Sequence, residues 1–386
     1  MPFQYQLIII GGGISACTFV SETIKNGFNA RIAIIENGRG LGGRSSTRIS
    51  NLNNESVIDH GAPHFNLTNN TCDSLLNEFI NDLLFKNLIK KDDSYILKIN
   101  ENLQSISRYK NEFYEGNIFK SNGSMSNLSK SILNLHNRNN QIDFYFNKTI
   151  TEFKFNKGKW ILSTNNNEKF ECNFLVSSSN LIAHPRSIKI LQKKQVPLRS
   201  AISPNKSQII DEIISLLENQ KFCKRTNILF FLRDKRILKE NYLDRNLHIL
   251  FNQRAQKEIG FERVIFQKQI KNFHNIVFHS QDNKLINKFI SRNDQKGYIH
   301  YCLNCLEKIL KIHNLSDNQV IAEDFSLMFW RASQPNEQGI PDRLQICKEF
   351  NIAFCGDWFN FEGFGRVEGA IISALKLSKK LNELGF

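Results

Sequence analysis

The stretch QLIIIGGGISA at residues 6–16, followed by RIAIIE at 31–36, restricts this chain more than any other feature. Each apolar run is short and unbroken, the pattern of a parallel strand buried on both faces. Between them, Cys17, Val20 and Ile24 recur on one side of a helical stretch running to about Asn26. Gly27 follows as a C-terminal cap would. The order strand, glycine turn, helix, strand is a βαβ unit. Gly11, Gly13 and Ala16 fit G-x-G-x-x-G/A: Gly11 permits the tight turn and Gly13 lets backbone approach a pyrophosphate. Ala16 is small enough for the helix to pack closely on the strand. The helix N-terminus then offers N–H groups to phosphates. Glu36, at the tip of the second strand, stands where a carboxylate accepts ribose hydroxyls. An incidental tight turn requires neither that acid nor the second strand, so the expectation is dinucleotide binding.

Two later stretches decide which dinucleotide is expected. NGRGLGGRSSTR (37–48) offers Gly42 and Gly43 for close backbone approach and Arg44 as a cation beside a phosphate. IAFCGD (352–357) reads as a strand that brings Gly356 and Asp357 to the same sheet, ahead of a helix starting near Arg366. That helix N-terminus suits the pyrimidine side of a flavin, where negative charge gathers on reduction. FAD accounts for three motifs and NAD for one.

Between these ends, the sequence predicts a capped helix over 122–136 and β-rich structure over 141–164 with a turn at Lys157–Gly158. A buried strand lies within 169–180, and 66–115 reads mostly as helix and irregular structure. Residues 183–325 alternate amphipathic helices, such as SQIIDEIISLLENQ (207–220), with strand-like runs such as NILFFL and LHILF. The expected fold class is α/β. It has a Rossmann-type FAD-binding domain (GR2-like, discontinuous) from 1–66, 120–182 and 345–386, and a second α+β substrate domain from 67–119 and 183–344.

Composition excludes more than it assigns. The 386 residues carry 51 Lys and Arg against 37 Asp and Glu, a net charge of +14. The cations are spread along the chain without a nucleic-acid motif, so no nucleic-acid partner is expected. No apolar run approaches the roughly 18 residues of a membrane span and no signal peptide is visible, which points to a cytoplasmic protein. Of the eight cysteines only Cys302 and Cys305 form C-x-x-C. They share helical spacing with Leu306 and Ile309, which places them on a buried face, and neither a metal nor a disulfide is expected.

GRGLGGRSSTR, DHGAPHF, GSMSNLSKSIL, FWRAS and CGDWFNFEGFGRVEGAIIS resemble the corresponding stretches of renalase-like proteins, within the flavin amine oxidase superfamily. The resemblance implies noncovalent FAD in a two-domain fold, with substrate against the flavin ring at the domain interface. It implies that Gly11, Gly13 and Glu36 hold the ADP half, and Gly43 and Arg44 the middle of the cofactor. Gly61, Ala62 and Phe65 would lie near the isoalloxazine, and backbone around Thr149 and Ile150 would reach the adenine. Gly356, Asp357, Arg366 and Val367 would enclose the ribityl and pyrimidine end. Renalase-like enzymes oxidise off-pathway dihydronicotinamide isomers of NAD(P)H, passing hydride to FAD and then to oxygen; the wider superfamily oxidises amines.

Hydride transfer to a flavin needs no protein acid or base, so the lack of an evident triad does not count against an enzyme. His64, Trp330, Arg331 and Phe359 are the substrate-cavity candidates. His64 competes with a structural histidine, and Trp330 and Arg331 with packing and a surface ion pair. Phe359, with Phe361 and Phe364, is expected over the ring as apolar packing. The leading expectation is an FAD-dependent oxidoreductase acting on a small dihydronicotinamide-type, NAD(P)H-like, or amine substrate. The alternatives are a desaturase or reductase of an apolar isoprenoid-like molecule, and a noncatalytic flavin-binding protein.

Overall fold

The computed structural model describes residues 1–50, 57–68, 73–107, 109–136, 141–233, 245–270, 273–280, 294–321 and 325–386. Its centre is an eight-stranded sheet that continues the βαβ unit. Across it lie Ile150–Asn156, Lys159–Thr164, Lys169–Ser177, Phe3–Ile10, Ile32–Ile35 and Ile142–Tyr145. Ile352–Phe354 also pairs with Lys169–Ser177, and Ile346–Cys347 with Ile352–Phe354. Phe3–Ile10 is parallel to both neighbours, with Ile9 opposite Val176 on one side and Ile34 on the other. From Leu7 onward the strand is flanked on both sides and covered on both faces, where a polar residue would be costly, which explains the unbroken LIII run.

The two faces have separate cores. Leu7, Ile9, Ile32 and Ile34 pack with helices Ile14–Lys25, Met125–Asn134 and Val367–Glu383. Ile8, Ala33 and Ile35 pack on the opposite face with Val196, Leu198, Ile210, Ile213 and Leu217. The hairpin between Ile150–Asn156 and Lys159–Thr164 turns at Lys157 and Gly158, both at positive φ, where the sequence places it.

A second, six-stranded sheet runs Ser326–Pro335, Phe222–Leu232, Phe273–Ser280, Arg263–Ile270, Leu247–Phe251 and Tyr95–Ile99. One face buries Ile228, Phe230, Val264 and Phe278 against helix Gln295–Leu310, on which Cys302 and Cys305 are buried as their spacing implies. The other face is turned toward the first unit. There Leu229, Phe231 and Val277 meet Ile58, and polar side chains complete the junction. Gln267 Nε2 donates to the Asp59 carbonyl at 2.7 Å while its Oε1 accepts from the Asp59 N–H at 2.9 Å. Asn275 Nδ2 donates to the Val57 carbonyl at 2.9 Å.

The expected division of the chain needs correcting. Helix Ser74–Phe85 and strand Ile89–Lys91 belong to the first unit, because Leu76, Phe79, Leu83 and Ile89 lie in its core. Helices Pro197–Ala201 and Gln208–Asn219 do as well, through the opposite core. Of the two stretches assigned to the second unit, strand Tyr95–Ile99 and the five strands from Phe222–Leu232 to Ser326–Pro335 build its sheet. An amphipathic stripe announces that a helix has a partner without naming it. The region 66–115 also holds strands Ile89–Lys91 and Tyr95–Ile99, too short to alternate visibly. Among the described residues no helix is long and apolar enough to cross a membrane.

Candidate functional site

The chain leaves its first strand at Gly11, whose φ of +98° belongs to glycine, and whose N–H donates to the Ile35 carbonyl at 2.9 Å. A Cβ there would stand 2.5 Å from Ser178 Oγ. Gly13 differs: its φ is an ordinary −80°, and a Cβ built on it meets no protein atom within 4 Å. It caps helix Ile14–Lys25, which has no side-chain cap and no acid in its first turn. Its opening N–H groups are therefore presented to whatever lies in front of Gly13. The second glycine loop crosses close above, with the Gly42 N–H donating to the Gly12 carbonyl at 2.9 Å. Ala16 is fully buried behind the turn. The Glu36 carboxylate accepts from the N–H of Gly12 at 2.6 Å and of Gly38 at 2.5 Å. It braces the turn as well as facing the cavity, and each oxygen keeps a further lone pair.

Arg44 and Asp357, from opposite ends of the chain, meet in a bidentate pair: Nη1 to Oδ2 at 2.7 Å and Nη2 to Oδ1 at 2.6 Å. Arg44 Nη1 also donates to the Ser333 carbonyl at 3.1 Å, which ties the second sheet to the pair. The DHGAPHF turn lies against the same loop, where Ala62 N–H donates to the Arg44 carbonyl at 3.0 Å. Arg366 is the N-cap of the last helix and holds Thr68 Oγ1 at 2.9 Å, Glu112 O at 2.9 Å and Glu368 Oε2 at 3.1 Å.

These pieces enclose one cavity of about 420 Å³. Gly11, Gly13, Glu36, Gly43, Arg44, Gly61, Ala62, Phe65, Gly356, Asp357, Arg366 and Val367 line it, together with His64 and Trp330. Four expected residues stand elsewhere. Ala16 lies behind the turn, as its packing role requires. Ile150 is buried in the core of the first unit and does not line the cavity. Arg331 is exposed, because successive residues of strand Ser326–Pro335 point to opposite faces and Trp330 takes the inner one. Phe359 is fully buried in the same core as Ile150, its ring 4.4 Å from that of Trp358. It is a core residue, and so covers no part of the cavity.

Sequence reasoning missed the floor supplied by the second sheet: Arg225, Asn227, Arg263 and His279. Asn227 lies opposite His279, and His279 opposite Arg263, so the three form one row across adjacent strands. The available signal was polar residues lodged in apolar runs, in KRTNILFF and FERVIF. Arg225 is ion-paired with Glu262, both buried.

His64 joins a buried polar cluster. Its Nε2 donates to the Phe113 carbonyl at 3.0 Å, which leaves Nδ1 facing Asp92 Oδ2 at 3.8 Å. His248 Nδ1 shares a hydrogen bond with Tyr114 Oη at 2.8 Å. His64, Asp92 and His248 thus bring one potential ligand atom each within 4.8 Å of one another. Lys120 Nζ already compensates Asp92 at 3.2 Å, however, and Arg263 stands nearby, so a divalent cation would face two resident cations. Burial pushes His64 down to about 4 against the pull of Asp92, with Arg263 adding to the fall, which leaves a neutral imidazole at the cavity wall.

Residues 9–83 match the family described as an NAD(P)-binding Rossmann-like domain. No curated protein sequence matches the chain significantly. Among solved structures it is similar to a protein described as a protoporphyrinogen oxidase from Exiguobacterium sp. 255-15, with a TM-score of 0.66 and 11% identity over 100% of this chain and 99% of that one. It is also similar to a putrescine oxidase redesigned in its cofactor binding, with a TM-score of 0.61 and 10% identity over 99% of each chain. At such identities the likeness is one of fold. The chain has the mixed α/β architecture of those oxidases, with a Rossmann-like nucleotide-binding unit and a second sheet across the cavity.

Proposed function

We propose that this protein is an FAD-dependent oxidoreductase that takes a hydride from a small molecule held between its two units. The observation that carries this reading is that one cavity collects Gly11–Gly13, Gly43–Arg44 and Gly356–Asp357, three motifs spread over nearly the whole chain. The residues fit the cofactor. Gly13 keeps an open space that no protein atom demands, and an uncapped helix start faces it. Glu36 would hold the adenosine ribose, Gly43 and Arg44 the middle of the molecule, and Asp357, Arg366 and Val367 the ribityl and pyrimidine end. Gly61, Ala62 and Phe65 would flank the ring. Bound noncovalently, FAD would supply two-electron, hydride-accepting chemistry, with oxygen as the final acceptor. The protein's own task is then to orient the donor and to exclude water.

The cavity also bears on the donor. Arg186, Arg225 and Arg263 line it, and among the described residues its carboxylates are Glu36 and Asp357, both engaged. A protonated amine would be repelled, and an apolar isoprenoid would strand these charges. The dihydronicotinamide type, the renalase-like reading, suits them best. Anaerobic mixing of the FAD-loaded protein with dihydronicotinamide isomers of NADH tests this. Bleaching of the flavin absorbance is expected. Bleaching by primary amines alone, or by neither, would overturn the assignment of donor.

A further inference from the structure

The second sheet ends in a group that neither the fold nor the cofactor reading employs. Arg263 is only 6% exposed, yet its Nε and Nη1 have no hydrogen-bond partner. Its guanidinium lies 5.2 Å from the centroid of the Phe113 ring and 5.8 Å from that of Tyr114, which restrict its orientation. The neighbouring cations are served: Arg225 by Glu262, and Lys120 by Asp92 and Asp93. No described carboxylate is hydrogen-bonded to Arg263. Arginine keeps its charge in any protein setting, so burial cannot be relieved by losing a proton. In the same row of the sheet, His279 Nε2 and Asn227 Oδ1 are buried without partners, and Trp330 Nε1 beside them is too. All four side chains line the cavity.

Buried polar atoms are rarely left unpaired, and several together at one wall mark a place where a polar ligand completes the set. We infer that the sheet side of the cavity is a subsite for a singly charged anionic group on the substrate, of the kind each phosphodiester of a dinucleotide carries, held by Arg263. The inference rests on reading this cavity as the substrate chamber. Among the described residues of the sheet side, Arg263 is the cation without a hydrogen-bonded carboxylate, which matches a singly charged anion; a phosphate dianion would call for a second cation there, and Arg225 is already engaged by Glu262. Asn227 Nδ2 is committed to the His60 carbonyl at 2.5 Å, so its Oδ1 is the free acceptor, suited to an N–H or O–H near that anion.

Calorimetry with benzoate, its neutral isostere benzamide and phenyl phosphate tests the assignment on the whole chain, with and without added FAD. Benzoate is expected to bind at least about tenfold more tightly than benzamide, and Arg263→Gln to abolish that preference while FAD affinity stays within about twofold. Arg263→Lys, which keeps the charge and guards against a folding defect, is expected to retain a weakened preference. Equal binding of benzoate and benzamide, or unchanged benzoate binding in Arg263→Gln, would overturn the subsite. Tighter binding of phenyl phosphate than of benzoate would overturn the monoanion assignment. If the protein takes up no FAD yet binds benzoate through Arg263, the oxidoreductase reading falls and the subsite stands.

Discussion

Gly11 and Gly13 are two residues apart and serve different ends. Gly11 is required by the fold, through its φ and through Ser178; Gly13 is required by nothing in the protein. Both were legible in the sequence as one motif, but only the structure separates the two reasons. Arg44 and Asp357 changed in a similar way. Each was expected to touch the cofactor, and each lines the cavity, but they are also each other's partner. The Asp357 side chain is 5% exposed and that of Arg44 43%, so losing the arginine strands a buried carboxylate. Arg44→Ala is therefore expected to lower stability by about 2–3 kcal/mol as well as to weaken FAD retention. Arg44→Ala/Asp357→Asn should recover at least half of that stability in urea melts. Gln substitutions at Lys189, Lys193 and Lys194 should change neither quantity. Equal losses in the lysine variants would mean that overall charge, and not the pair, holds the cofactor.

The elements that could be read from sequence were those whose pattern depends on their own burial. The LIII and IAII runs declared two-sided strands, and SQIIDEIISLLENQ declared a one-sided helix. The floor of the cavity was not legible, because Arg263, His279 and Asn227 meet only through the register of three antiparallel strands. Nothing local in a lysine- and asparagine-rich region signals that pairing. The junction between the units was hidden for the same reason. There Gln267 pairs with Asp59 as a neighbouring strand would, using a side-chain amide in place of backbone. Gln267→Leu leaves both Asp59 backbone groups without partners, and a loss of about 2–3 kcal/mol in urea denaturation is expected. A change below about 0.5 kcal/mol would mean that the junction does not depend on this mimicry.

At the scale of the molecule, two layered units close on a cavity whose walls carry permanent charge and neutral imidazoles. His60, His64, His184, His248 and His279 are all held below the ordinary value by burial, His60 and His64 to about 4. Between about 4 and 6.5 the unfolded chain binds protons that the native one refuses, so stability is full above about pH 6.5 and falls as the solution is acidified. Asp59, raised to about 6 by burial, works in the opposite sense between about 4 and 6 and offsets one histidine. Each of His60 and His64 contributes on the order of 3 kcal/mol at most. The melting temperature is expected to drop steeply from pH 6.5 to 4.5, and His64→Gln to flatten that slope; a flat profile in the parent protein would contradict it. The central claim, that the cavity is built for FAD, is tested most directly by titrating cofactor-stripped protein with FAD and following its visible absorbance. One FAD per chain is predicted. Gly13→Ala should bind at least about tenfold more weakly, with no more than about 1 kcal/mol of stability lost. No uptake by the parent protein, or a Gly13→Ala variant that binds FAD as the parent does, would contradict the account.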